Sequence, residues 1–421
     1  MTGVERMDGQ PRSVIVVGAG IVGLSTAWFL QERGVDVTVV DRGGAGAGAS
    51  GCNAGWIAPG LVLPLNSPRV LRYGLRCLFD SSAPLHVALA TAPRSGRFLT
   101  QFAGNSRRAP WQRALTANVR LNEDCLEAFD VLVNNGVEVP VSHAPITAVF
   151  ESSAEAQRLS RELDELEKVG QAMYVTALSG AALREQVPLA APTATAGLVI
   201  NGQRFVDPGR FVAALGRAVI DRGATLRQLE VDAVVSAGHG VAVRPRRSEV
   251  LIADAAVIAT GAELPRLASR WLRVPVGAGR GYSFTVPVER PMPGPIYLPE
   301  ARVACTPYRG ALRVSGTMDF CDPRQPVAPE RVAAIVASAS RLLEGVRWDD
   351  RSDVWFGARP VTPDGRPLIG QVAPQLYVAG GHGMWGLTQG PVTGRLLAEQ
   401  ITTGKQPQYL REFDPLRKTG H

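Results

Sequence analysis

The chain has 421 residues, 45% hydrophobic and 20% charged, with a formal net charge of +7; this is the profile of a soluble globular protein with room for two domains. Only three of its 45 basic residues are lysines (Lys168, Lys405 and Lys418) and the arginines are dispersed without a basic block, which excludes a nucleic-acid-binding arm. Five cysteines without a Cys-x-x-Cys pair and five scattered histidines exclude a disulfide framework and a metal centre, and point to reduced thiols and a cytoplasmic location.

The first elements are the most telling. Val14–Val17 reads as a buried strand that runs into Gly18-Ala-Gly20-Ile21-Val22-Gly23 and then a helix. Gly18 suits the tight turn, Gly20 lets backbone approach a pyrophosphate, and Gly23 lets the helix pack on the strand. The helix N-terminus offers N–H groups and a positive dipole end to phosphates. The next strand, Val35–Val40, ends at Asp41-Arg42, where a carboxylate suits adenosine ribose hydroxyls. Together these parts predict dinucleotide binding. The same glycines argue that the apolar run Val14–Leu30 is neither a signal peptide nor a membrane span. The small-residue loop 43–56, with Ala49, Ser50, Asn53, Ala54 and Gly55, is expected to wrap the same ligand.

From Pro64 to about Gly136 the pattern is mainly helical, with breaks at Pro84, Pro93 and Pro110. A strand is expected over 146–150, a polar helix over 154–169, and a strand over 197–200. Asp207-Pro208 reads as the N-cap and first turn of a helix. A strand over Thr225–Val235, a hairpin at Gly238-His-Gly240 and a strand over Ala255–Ala259 ending in Thr260-Gly261 follow. Residues 276–350 are strand-rich with a helix at 328–344. The segment 355–370, a strand at Leu376–Ala379, the loop 380–390 and a helix from about Pro391 return the chain to its first unit. The fold class expected is α/β: a discontinuous Rossmann-like nucleotide domain (11–60, 195–275 and 350–412) with a sheet-and-helix α+β substrate domain (61–194 and 276–349).

In these residues the chain resembles the FAD-dependent D-amino-acid oxidase superfamily, and most of all its D-amino-acid dehydrogenase (small subunit) family. The likeness rests on the Gly18/Gly20/Gly23 fingerprint with Asp41-Arg42, and on Ser50 through Asn53-Ala54-Gly55. It extends to Pro59-Gly60, Pro64, Arg72–Phe79, Ala83-Pro84-Leu85, Asp207-Pro208, Arg280-Gly281-Tyr282-Ser283, Leu298-Pro299-Glu300, Gly357 through Gly365, and Gly381-His382-Gly383. The resemblance implies FAD as cofactor, with Val231 presenting its backbone to the adenine. It places Thr260, Gly261, Gly381, His382, Gly383, Met384, Trp385, Gly386, Leu387 and Thr388 around the cofactor. It puts Arg359 on the substrate carboxylate, a task its planar fork suits, with Tyr282, Tyr308 and His382 as assistants. The loop 380–390 carries no cysteine, which implies non-covalent FAD.

The reaction implied is oxidative deamination of an amino acid, a D-amino acid first, by hydride transfer to flavin N5; the imine then hydrolyses to a 2-keto acid and ammonia. The alternatives are oxidation of a secondary amine such as sarcosine, proline or hydroxyproline, of a 2-hydroxy acid, or of an amine in a tailoring step of a biosynthetic pathway. A quinone or O2 would take the electrons. Arg69, Arg72, Arg76, Arg94, Arg97, Arg107 and Arg108, set among apolar residues, leave open a peripheral contact with the inner face of a membrane.

Overall fold

A computed structural model describes residues 10–76, 85–87, 92–238, 240–320 and 328–418. Ser13–Val17 (β1), Ile21–Glu32 (α1) and Asp36–Asp41 (β2) form the expected strand–turn–helix–strand unit. β1 lies at the middle of a six-stranded sheet in the order Thr225–Gln228, β2, β1, Ala255–Ile258, Leu376–Gly380, Leu368–Ala373; all its pairings are parallel except the last hairpin. Apolar β-branched residues suit these strands because both faces of the sheet are covered. On one face α1 packs against the terminal helix Gly386–Thr403, so closely that a Cβ at Gly394 would press on the backbone of Ser25 and Thr26. Trp28, Phe29, Phe129 and Phe211 fill the core there. The other face is covered by a three-stranded sheet, Val231–Ala237, Gly240–Pro245 and Leu251–Ala253, whose Val234, Val241 and Val243 meet Ile15, Val17 and Val40.

The second large sheet is mixed. Its order is Ser352–Val361, Gly277–Val286, Ala311–Phe320, Val303–Tyr308, Ile296–Leu298, Ile146–Phe150, Ala196–Ile200, Val175–Ser179, with Leu85–Val87 also paired to Ala311–Phe320. Ala196–Ile200 and Ser352–Val361 fall within ranges expected for the nucleotide unit, yet they are hydrogen-bonded into this sheet. Helix Pro329–Ala339 packs on it through Val332 and Ile335, and helix Ser153–Lys168 through Leu159, Leu163 and Leu166.

Several elements differ from the sequence reading. The strand expected over 225–235 is two strands in two sheets, Thr225–Gln228 and Val231–Ala237, because the chain leaves the parallel sheet at Leu229-Glu230. The helix expected to reach 344 stops at Ala339, and the terminal helix starts at Gly386, ahead of Pro391. The polar strand Val175–Ser179 and helix Gly180–Gln186 gave no sequence signal. Asp207 caps helix Pro208–Asp221 as expected, accepting from the Arg210 N–H at 3.0 Å. Of the positions singled out above, residues 77–79, Ala83, Pro84 and His239 lie outside the described residues. Among the described residues no helix is long and apolar enough to cross a membrane.

Candidate active site

One cavity of about 2190 Å³ runs between the two large sheets. Its first end is the glycine turn. Gly18 sits at φ 116, and a Cβ there would run into the Ala259 carbonyl; a Cβ at Gly23 would strike the Gly18 carbonyl. The turn is thus pressed between β1 and α1, and Gly18, Gly20, Ile21 and Val22 line the cavity, while Gly23 serves packing. Asp41 also lines it, but its carboxylate already accepts three backbone N–H bonds: from Ala19 at 2.9 Å, Gly43 at 2.7 Å and Gly44 at 3.0 Å. It therefore shapes the turn and the next loop as well as bordering the cavity. The first N–H of α1, at Ile21, is not free as expected: it donates to Ser50 Oγ at 3.1 Å.

Arg42, Ala49, Ser50, Asn53, Ala54, Val231, Thr260 and Gly261 all line the same cavity. The Val231 carbonyl accepts from Arg266 Nη2 at 2.7 Å. Gly55 does not line it; at φ 84 it turns the chain where a Cβ would hit the Val206 carbonyl. The Thr260 hydroxyl is buried with no protein partner.

The loop before the terminal helix divides the expected residues. His382, Gly383, Met384, Trp385, Gly386 and Leu387 line the cavity. Gly381 does not: at φ 81 it packs on Thr362. Thr388 is a correction as well. It is fully buried, and its hydroxyl donates to the Trp56 carbonyl at 3.2 Å and accepts from the Ala58 N–H at 3.1 Å. It ties strand Trp56–Ile57 to the helix rather than facing a ligand. His382 bonds Thr393 Oγ1 through Nε2 at 2.9 Å, and burial pulls its pKa down to about 3, so the ring is neutral at pH 7.

The opposite wall is the strand pair Gly277–Val286 and Ser352–Val361. Gly281 stands directly across from Gly357. The Arg359 guanidinium occupies the space a Cβ at Gly281 would need, and the Trp355 ring does the same at Gly357. Two bulky side chains thus lie on a two-glycine floor inside the cavity. Arg359 donates to the Thr317 carbonyl at 3.1 Å and has no carboxylate partner among the described residues. Loss of water alone pulls its pKa down to about 10. Its residual surface opens into the cavity it lines.

Two assignments on this wall are corrected. Tyr282, next to Gly281, borders the cavity, but side chains alternate along a strand and its ring turns into the core. It is 1% exposed and packs in the core against Phe356, where Arg280 Nη2 donates to its hydroxyl at 2.6 Å. Tyr308 does not line the cavity; its ring lies under Arg309 and Arg313. Sequence reasoning missed Trp111, Tyr297, Trp355, Ser315 and Thr317, which do line it, while Trp56 closes the loop expected to wrap the ligand. No local motif marks them. Arg69, Arg72, Arg97 and Arg108, read as a membrane-facing group, also border the cavity, and Arg69 bridges Glu162 at 2.9 Å and Glu300 at 2.8 Å.

The lining fits FAD on structural grounds. The cavity is larger than the roughly 300–1,000 Å³ of an ordinary small-ligand pocket. It is bordered by a glycine turn in which Gly18 and Gly23 have no room for a Cβ and by the helix start at Gly386, and it holds an orphaned hydroxyl at Thr260.

The comparisons agree. Residues 13–400 match the family described as DAO, FAD dependent oxidoreductase. Glycine oxidase from Geobacillus kaustophilus is similar in structure with a TM-score of 0.74 and 22% identity, over 97% of this chain and 99% of that one. Iminodiacetate oxidase (IdaA) from Chelativorans sp. BNC1 gives 0.73 and 20%, over 96% and 98%. NikD, described as an unusual amino acid oxidase essential for nikkomycin biosynthesis, gives 0.70 and 16%, over 97% and 100%. With the match spanning the turn, the cavity and both sheets, the chain belongs to the FAD dependent oxidoreductase (DAO) family and is an FAD-dependent oxidoreductase.

Proposed function

We propose that this chain oxidises an amine that carries a carboxylate, an amino acid or an N-substituted amino acid, with FAD held non-covalently. The observation that carries this reading is Arg359, a desolvated guanidinium on the cavity wall with one hydrogen bond and no acid to pair with. A carboxylate supplies the missing charge and fills the fork. Cys52 supports non-covalent FAD: it is the cavity-lining cysteine, and burial pushes its thiol up, away from the nucleophilic thiolate.

Bound FAD supplies the acceptor for the hydride that leaves the amine-bearing carbon. The protein's part is positional. Arg359 holds the carboxylate and thereby fixes the adjacent carbon, while the aromatic walls at Trp56, Tyr297 and Trp355 exclude water. Among the described residues no acid forms an ion pair with Arg359, and His382 is neutral and bonded to Thr393. The amine therefore reacts in its neutral form after losing its proton to water. The imine of a primary amine then hydrolyses to a 2-keto acid and ammonia.

Within this class the motif resemblance favours D-amino acids. Secondary amines are the second reading, supported by the fold shared with the iminodiacetate oxidase. None of the three lysines borders the cavity, which favours a dehydrogenase that passes electrons to a quinone over one that uses O2. The test is a panel of D- and L-amino acids, N-methyl amino acids and 2-hydroxy acids, scored by anaerobic flavin bleaching. Bleaching by carboxylated amines, D-enantiomers first, is expected; bleaching by 2-hydroxy acids alone contradicts the reading.

A further inference from the structure

The wall that carries Arg359 holds a second feature, and its interpretation rests on the function just proposed. Between strands Gly277–Val286 and Ala311–Phe320 the register shifts: Arg280 pairs with Asp319, but Tyr282 pairs with Gly316. Two residues, Thr317 and Met318, therefore oppose the single Gly281 in a β-bulge. Thr317 sits at φ 58. A β-branched residue there is a genuine outlier, and such outliers persist only where the surroundings hold them and cluster where ligands are clamped.

Two further observations point the same way. The bulge aims the Thr317 carbonyl at Arg359 Nη1, 3.1 Å away. Thr317 borders the cavity, the residue is 5% exposed, and its hydroxyl is buried with no hydrogen-bond partner. The buried hydroxyl of Ser315, two residues earlier on the same strand, is also without one. Buried hydroxyls left unsatisfied are costly and call for an explanation.

We infer that Thr317 is a substrate-positioning residue, whose carbonyl sets the plane of Arg359 and whose hydroxyl donates to a carboxylate oxygen bound by that guanidinium. The chemistry balances without a further group. An ionised carboxylate offers about four acceptor sites, and a guanidinium fork fills two of them.

The experiment titrates the holoenzyme with acetate and with benzoate, carboxylates that carry no amine to oxidise, and reads the flavin absorbance. Thr317→Val should weaken both by about tenfold, and Thr317→Ser should return the affinity to within about twofold of wild type. In the Val variant, flavin reduction by a decarboxylated amine should slow by less than flavin reduction by the carboxylated amine. If Thr317→Val does not fold, Thr317→Gly replaces it, since glycine accepts this φ and also lacks the hydroxyl. A Val or Gly variant that keeps carboxylate affinity overturns the assignment. So does one that slows carboxylated and decarboxylated amines equally, which marks a structural role. If neither carboxylate perturbs the wild-type flavin and Arg359→Ala is equally indifferent, the carboxylate reading of Arg359 falls and this assignment with it; the first two outcomes overturn Thr317 alone.

Discussion

The two walls of the cavity are built on opposite terms. On the wall built around the glycine turn, Asp41 is satisfied by the protein itself through three backbone N–H bonds. On the facing wall the charged group, Arg359, has one neutral carbonyl for a partner, and two hydroxyls near it along the sheet, those of Ser315 and Thr317, have none. A charged group that the protein satisfies is fixed before anything binds, which suits a resident cofactor, and on that wall the Thr260 hydroxyl is left for the ligand. An unsatisfied wall stores a desolvation cost that only a ligand of complementary charge relieves.

Substitutions can break or sharpen this contrast. The largest effect belongs to Arg359→Met. It should lower kcat/KM for carboxylated amines by about 2–5 kcal/mol in transition-state terms. It should also leave Tm unchanged or raise it, because it removes an unpaired buried charge; a calorimetric scan showing a clear loss of Tm would mean that Arg359 is structural. Binding of a carboxylate to wild type should hold steady through neutral pH. It should fall as pH rises through about 10, where Arg359 gives up its proton.

The turn that follows Arg359 supplies the paired counterpart. Asp364 is 3% exposed and meets Arg417 Nε at 2.8 Å and Arg366 Nη2 at 3.1 Å. Burial alone would raise its pKa, but Arg417 and then Arg366 outweigh it and hold the carboxyl below its usual value. Arg417→Ala should destabilise the fold by about 3 kcal/mol in chemical denaturation. The stability that this carboxylate contributes is present above the ordinary carboxylate range and is lost as pH falls below it.

Asp41→Ala should weaken FAD binding by about 1.5–3 kcal/mol. Because Asp41 holds residues 43–44 as well as facing the cavity, faster proteolysis of the loop in the apoprotein should accompany that loss. An unchanged FAD dissociation constant would remove Asp41 from the ribose site.

The smallest effect is at His382. Its pKa in the fold, about 3, lies below the ordinary 6.5, so the unfolded chain binds the extra proton first. Its contribution to stability is therefore complete above about pH 6.5 and declines as pH falls toward 3. His382→Asn should flatten that part of the stability–pH curve. It should not shift the pH profile of flavin reduction between pH 6 and 8.

How much of this was legible in the sequence follows from how local each feature is. The glycine turn, α1 and Asp41 are consecutive along the chain, and their steric demands show as residue types at fixed spacing. The same spacing logic gave Arg359 by resemblance. It failed for Thr388 and Gly381, because one turn of helix or one positive φ decides which side a residue faces. For Tyr282 it found a residue that borders the cavity, but strand alternation, which spacing along the chain does not show, turns its ring into the core. Thr317 could not be read at all: its bulge exists only in the pairing of two strands about 35 residues apart in sequence, where Thr317 opposes Gly281.

The measurement that bears most directly on the account compares a carboxylated substrate with its decarboxylated amine, in wild type and in Arg359→Ala, by the rate of anaerobic flavin reduction. The account predicts strong wild-type preference for the carboxylated amine, and a variant with full FAD content that has lost that preference while still oxidising the bare amine. A flavin-replete Arg359→Ala enzyme that keeps the preference would contradict it, and would place the carboxylate elsewhere in the cavity.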